Sequence, residues 1–279
     1  MRGIQQGSFM NHEVRRRLSG SADSDLSRRQ FSLAVAGMAA LFSEGTRCLS
    51  AETEHPLEPA IRHAQTSLQK AEELEGYEVT FSKKEIVGRS LISQQMRMKV
   101  RHNPFSVYMY FEKPNEGREV IFVEGKNNNN LLVHETGIAS LIGTLELSPT
   151  GSQAMSENRY PITRVGIANM VRLVIKQWEA EKQFGETDVK YFKDGKVGEY
   201  TCRVIESSHP QPRKQFRFHR TRLWIDEESG LAVRCQQAGF PSAPGAEPPI
   251  IEDYTFTRIR KDVRLTDRDF DTKNPGYRF

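Results

Sequence analysis

From Tyr77 onward the chain alternates apolar and polar residues, and that period of two limits it to half-buried strands. Tyr77, Val79 and Phe81 alternate with Glu78, Thr80 and Ser82, and Met96, Met98 and Val100 alternate with Arg97, Lys99 and Arg101. Between Phe105 and Phe111 nearly every residue is apolar, with Phe105, Val107, Met109 and Phe111 on one face and Tyr108 and Tyr110 on the other. A sheet that is apolar on both sides is either covered by a helix or lines a pocket. Val120–Val123 and Leu131–Val133 follow, separated by a Gly125-Lys126 turn and the four asparagines Asn127–Asn130, whose residue types tolerate positive φ. Residues 77–134 therefore read as an antiparallel meander with one polar face.

Two helical patterns bracket this meander. Leu57, Ile61, Ala64, Leu68, Ala71 and Leu74 recur at steps of three and four, with Pro56 and Pro59 near the start and Gly76 past the end. The opposite face is Arg, Gln, Lys and Glu, so this helix lays one stripe on a partner. A second helix is expected over 164–182, capped by Thr163. Its first part (Val165, Ile167, Ala168, Met170, Val171, Leu173, Val174, Ile175, Trp178) is apolar nearly all round, the mark of a helix buried on most sides. Residues 136–162 are irregular, with a strand expected somewhere in Ile138–Leu147. Further strands are expected at 198–206, 215–225, 231–238 and Ile250–Ile259. Their turns fall at Asp194-Gly195 and Glu228–Gly230, with a stiff loop at Pro241–Pro249. The expected fold class is α+β: a curved antiparallel sheet, a half-open β-barrel, with two main helices packed in or across its concave face.

Residues 27–33 read Ser-Arg-Arg-Gln-Phe-Ser-Leu, and Ser27, Arg28, Arg29 and Phe31 resemble the twin-arginine export signal, from which Ser32 departs. The apolar stretch Phe31–Phe42 would span about 18 Å as a helix. That is too short for a bilayer core of about 30 Å and right for the hydrophobic region of a signal peptide. Cleavage after Ala51 or after Gly45 fits the small residues that follow, and Met10 is an alternative start. Residues 1–51 are thus expected to be a signal peptide read by the export machinery, and 52–279 one exported domain of the periplasm or cell envelope. The leader holds seven of the chain's 40 basic residues and four of its 36 acidic ones, which leaves 33 and 32 for the rest. A body so nearly neutral gives no basis for nucleic-acid binding.

The order of elements resembles the lipoprotein-carrier fold of the periplasmic localisation factors. A closer resemblance, over roughly residues 57–279, is to an uncharacterised exported bacterial family, the domain of unknown function 1571. It rests on Asn158-Arg159-Tyr160-Pro161-Ile162-Thr163 with Gly166, on Leu223–Asp226 with Gly230, and on Leu265–Asp271 with Asn274–Phe279. That resemblance implies fold and location and brings no activity.

No catalytic motif, phosphate loop or dinucleotide fingerprint is present, and no cofactor is implied. Asp267, Asp269 and Asp271 have the opening spacing of a calcium loop, but Thr272 and Arg278 stand where Gly and Glu are required. His134-Glu135 are adjacent on a strand and so point to opposite faces. Cys202 and Cys235 would flank a middle strand, two strand spacings apart, which favours buried free thiols over a disulfide. The expected function is non-catalytic binding of a hydrophobic ligand, a lipid or lipidated peptide, in the concavity. Met96, Met98, Val100, Phe105, Val107, Met109, Phe111, Val174 and Trp178 are its expected lining, because adaptable methionines suit variable chains. The alternative is an envelope module that binds wall polymer or a protein partner through its basic strands, Arg97, Lys99 and Arg101 with Arg213–Arg222, which would make peripheral envelope contact.

Overall fold

A computed structural model describes residues 54–279. The leader expectations, with Arg28, Arg29 and Phe31, lie outside the described residues. Helix α1 (Leu57–Glu72) leads into strands β1 (Gly76–Val87), β2 (Ser90–Arg101), β3 (Ser106–Lys113), β4 (Glu119–Val123), β5 (Leu131–His134) and β6 (Thr144–Leu147). A connecting strap over residues 148–166 carries the short helix α2 (Ser152–Met155) and delivers the chain to α3 (Ile167–Glu181). Strands β7 (Asp188–Val197), β8 (Tyr200–Ser208), β9 (Arg220–Asp226), β10 (Ala232–Ala238) and β11 (Ile250–Arg260) complete the sheet.

All eleven strands form one sheet in the order β6-β5-β4-β3-β2-β1-β11-β10-β9-β8-β7. Every pairing is antiparallel, and β6 and β7 are left as free edges. Two meanders are thus joined at the centre, where β1 pairs with β11. The inward positions Tyr77, Val79 and Phe81, Met96, Met98 and Val100, Leu223, Cys235 and Phe256 share one core with Ile61 and Ala64 of α1 and Val171, Val174 and Trp178 of α3. Helix α1 packs on α3. The sheet curls around them: β5 and β10 stand six places apart, about 29 Å if flat, yet both line one cavity of about 470 Å³. This is the expected open, curved α+β half-barrel with two main helices across its concave face.

Local expectations fail where tertiary contacts override pattern. Helix α3 has no side-chain cap: Gly166, at φ 104°, starts it, and the Tyr77 hydroxyl accepts a 2.9 Å hydrogen bond from the Ile167 N–H in place of a Thr163 cap. Asp194-Gly195 is a bulge within β7, where pairing jumps from Phe192↔Val204 to Gly195↔Cys202, and the hairpin turns instead at Gly198, φ 54°. The strand expected at 215–225 begins only at Arg220. Phe216 is drawn out of strand geometry to stack on the His209 ring with centroids 3.7 Å apart. Within Ile138–Leu147 only Thr144–Leu147 is strand; residues 137–142 form a 3₁₀ turn that exposes Ile138, Leu141 and Ile142.

The two-faced apolarity of residues 105–111 has a different cause on each side. Inward, Met109 and Phe111 face the cavity. Outward, the chain's last segment covers Tyr108. Tyr277 stacks on Tyr108 with centroids 4.0 Å apart, and Phe270 closes a small second core with Tyr108, Ile121 and Val123.

Candidate functional site: an apolar cavity with a polar row

The cavity of about 470 Å³ lies between the concave face, α3 and the strap, open to solvent on one side. Its floor is Phe81 of β1, Met96 of β2, Met109 and Phe111 of β3, Val120 of β4, Leu131 of β5 and Phe256 of β11. Helix α3 supplies Met170, Leu173, Val174 and Gln177, one face at helical spacing. Phe81 stacks on Phe256 at 4.8 Å between centroids, which fixes the floor at the β1–β11 joint.

Four of the residues expected to line a pocket meet here: Met96, Met109, Phe111 and Val174. Val100 and Phe105 line a separate groove on the other side of the strap, with Tyr77, His102 and Phe122. Met98, Val107 and Trp178 face neither opening and are closed into the core. Trp178 donates its indole N–H to Ser207 Oγ at 2.9 Å, which satisfies its one polar atom.

Sequence reasoning missed the polar residues on the same concave face. Along β1 the inward positions continue from Phe81 to Lys83 and Glu85; along β2 they continue from Met96 to Gln94, and along β11 from Phe256 through Tyr254 to Glu252. The register aligns these into rows. Gln94, Lys83, Tyr254 and Cys235 lie side by side, and the next row is Glu85, Glu252, Gln237, Thr221 and Ser207. All of these but Tyr254 are at least nine-tenths buried. The signal was available: a period of two that runs on past Phe81 into charged residues predicts buried charge.

Two carboxylates directly opposite each other on neighbouring strands, Glu85 and Glu252, repel. Lys83 of β1 and the strap neutralise them. Lys83 Nζ lies 3.3 Å from Glu85 Oε2 and donates to Glu157 O at 2.9 Å and to the side-chain oxygen of Asn158. Glu85 also accepts from the Arg159 backbone N–H at 3.1 Å and from the Tyr254 hydroxyl at 2.5 Å. Arg159 Nε donates to Glu252 at 2.8 Å, its Nη1 to Ile86 O at 2.8 Å, and the Tyr160 hydroxyl to Glu252 at 3.2 Å. Glu157, in turn, accepts from Gln94 at 2.9 Å and from Arg118 at 3.0 Å. Burial pushes the Glu252 carboxyl above its ordinary value against the pull of Arg159 and Arg217, and draws the Lys83 ammonium down against Glu85. Burial also pushes the Tyr160 hydroxyl up to about 12. Asn158-Arg159-Tyr160 is thus the clasp that holds the strap on the sheet and forms one wall of the cavity.

At the end of α3, Glu181 and His209 are both buried, with Glu181 Oε2 and His209 Nε2 3.3 Å apart. His209 Nδ1 meets the Glu186 carbonyl at 3.0 Å. Burial alone would lower the His209 pKa, but the Glu181 carboxylate and the Glu186 carbonyl outweigh it and raise it. Both cysteines are buried free thiols; burial pushes the Cys202 thiol up to about 12, so neither side chain is poised for nucleophilic work.

The outward basic strand is occupied by the C-terminal segment. Lys99 Nζ pairs with Asp269 at 2.7 Å, Arg101 with Asp267 at 2.8 Å, and Arg97 with Glu112 at 3.4 Å. Asp267 and Asp269 sit in a capped 3₁₀ turn, Asp269 bonding the Thr266 N–H and hydroxyl. Of the other basic stretch, Arg213 pairs with Glu186 and Arg222 with Glu206. Glu135 pairs with Arg118 at 2.8 Å, away from His134, whose ring faces Phe279. Among the described residues no cluster of three or more His, Cys, Asp or Glu side chains is placed to hold a metal, and no helix is long and apolar enough to cross a membrane.

No curated protein matches this chain. Solved structures similar to it include a DUF1329 family protein from Desulfovibrio piger, 12% identical over 77% of this chain and 97% of that one, TM-score 0.35. The lipoprotein LppX of Mycobacterium tuberculosis is 15% identical over 75% of this chain and 100% of that one, TM-score 0.42. LprF from Mycobacterium bovis is 12% identical over 76% of this chain and 98% of that one, TM-score 0.43. A protein family model, that of the proteins of unknown function DUF1571, matches residues 74–279, and the chain belongs to that family.

Proposed function

We propose that this protein is an exported, non-catalytic binder that holds a hydrophobic ligand, a lipid or lipidated peptide, in the cavity beneath α3. The observation that carries the reading is the cavity itself: about 470 Å³, within the roughly 300–1,000 Å³ of small-molecule sites. Its floor is apolar, and apolar surface left facing water forgoes about 25 cal/mol per Å² of burial. The strap that walls it is anchored to the sheet by Lys83, which bonds Glu157 O and Asn158, and by the Arg159–Glu252 ion pair. Met96, Met109, Phe111 and Val174 are the residues assigned to contact the ligand, and the polar rows beside them orient it. The basic outer strand supports this reading over a polymer-binding face, because Lys99 and Arg101 are paired with Asp269 and Asp267.

Two experiments test it. Protein purified from its own host is extracted with solvent and its lipids are identified by mass spectrometry; a stoichiometric amphiphile supports the proposal, and a lipid-free protein that also refuses added amphiphiles refutes it. For export, fractionation with N-terminal sequencing is expected to find a mature protein beginning at Glu52 or Thr46. Arg28→Lys with Arg29→Lys is expected to retain the precursor inside the cell.

A further inference from the structure

The cavity's charged lining is sorted by depth. Its three carboxylates, Glu85, Glu181 and Glu252, are all buried: Glu85 is bonded by Lys83, Glu252 by Arg159, and Glu181 Oε1 by Gln177, while Glu181 Oε2 lies 3.3 Å from His209 Nε2 without a hydrogen bond. The exposed members of the lining are Arg164, Lys176, Ala180, Gln215 and Arg217. Three of these five are cations, and none is an acid. Every other prominent cation around the site is matched: Lys83, Arg118 and Arg159 all sit within 4 Å of a carboxylate. Among the described residues Arg164, Lys176 and Arg217 form no such pair. Arg217 lies over aromatic faces, 5.8 Å from the Tyr160 ring centroid and 5.1 Å from that of Phe218, and reaches Glu252 only through longer-range attraction.

Resting on the reading of the cavity as a ligand site, we infer that its ligand is an anionic amphiphile. The acyl chain lies on Phe81, Met96, Phe111 and Val174, and a carboxylate or phosphate head group stays at a rim whose free charges, Arg164, Lys176 and Arg217, are all positive. The arrangement follows from desolvation. A charged head group is costly to bury and stays where water reaches it, while the chain is stabilised by leaving water. Unpaired cations at an aqueous rim attract such a head group without paying for desolvation of a buried pair. Deeper in, Lys83 and Arg159 are already taken up by Glu85 and Glu252 and offer an anion no free charge, which favours entry chain first.

The test compares two probes that share one chain and differ in charge. Full-length protein at pH 8 is titrated with cis-parinaric acid and with its methyl ester, and fluorescence is read. The acid is expected to bind at least tenfold more tightly than the ester. In the triple variant Arg164→Gln, Lys176→Gln, Arg217→Gln the acid is expected to lose that tenfold while the ester is unchanged and the melting curve stays that of the parent. Dodecyl phosphate is expected to displace the acid, and 10 mM inorganic phosphate is not. Equal binding of acid and ester by the parent protein overturns the head-group assignment and leaves the cavity reading intact. Binding of neither probe overturns both. Displacement by inorganic phosphate alone assigns a free-anion site and overturns the amphiphile.

Discussion

Filling the cavity from its own wall distinguishes a ligand site from a packing defect. Val174 lines the cavity from α3 and is 2% exposed. Val174→Phe adds about four carbons, each worth about 0.8 kcal/mol when buried, or roughly 3 kcal/mol in all. Forcing that volume into a close-packed core instead costs about 1–3 kcal/mol in strain. With about 470 Å³ of free space alongside, strain offsets only part of the burial, so the variant is expected to be between neutral and about 2 kcal/mol more stable than the parent. The same ring occupies the path of the ligand, and cis-parinaric acid is expected to bind at least tenfold more weakly. Stability is read by urea unfolding with an unchanged m-value, which excludes a change in the unfolded state; binding is read by fluorescence. A variant destabilised by more than 1 kcal/mol that still binds the probe at parental affinity would refute the reasoning, because the space beside Val174 would then be neither free nor used.

The clasp gives a second prediction. Lys83→Met strips Glu85 of its buried partner and is expected to cost about 3–5 kcal/mol, a fall in Tm of roughly 10 °C for a domain of this size; the double variant with Glu85→Gln is expected to recover much of it, measured by calorimetry. His209 provides the pH dependence. Its folded pKa is raised, so its contribution is full below about 6.5, the value expected for the unfolded chain, and is lost as pH rises through the folded value. Thermal melts from pH 5 to 9 are expected to show that loss, and His209→Gln to flatten it. Gly166→Ala is expected to cost about 1–3 kcal/mol. Its φ is 104° and an added Cβ would sit 2.9 Å from the Tyr77 hydroxyl that bonds the start of α3; the readout is loss of protection at the Ile167 amide in hydrogen exchange.

Much of this architecture was legible in the sequence because it rests on period. The step from threes and fours to twos at Tyr77 places α1 and β1, and the all-round apolarity of 165–178 places α3 in the concavity. Legibility ended where side chains answer partners far along the chain. The bend at Asp194-Gly195 resembles a hairpin turn, yet Val204 Cγ2 would lie 2.5 Å from a Cβ at Gly195, and the position serves as a bulge. Half-buried alternation places Met96, Met109 and Phe111 inward, as helical apolarity places Val174, but alternation treats all inward positions alike. It could not separate them from Met98 and Val107, which the same face closes into the core. The charged residues are hard to read for the opposite reason: inward Lys83, Glu85 and Glu252 look like solvated positions until Asn158-Arg159-Tyr160, some seventy to ninety residues away, is seen to bond them.

The joint between β1 and β11 has a consequence for how the molecule is made. The two meanders are contiguous stretches that can each zip up locally, but their meeting line runs through the middle of the sheet, where Glu85 faces Glu252 and Phe81 faces Phe256. Partners so distant in sequence make closure late and slow. The pocket floor straddles that line, so it is assembled in the same final event. A half-synthesised chain therefore owns neither a finished half-barrel nor a finished pocket floor. Separately expressed fragments divided within the strap are predicted to bind cis-parinaric acid only once they have recombined.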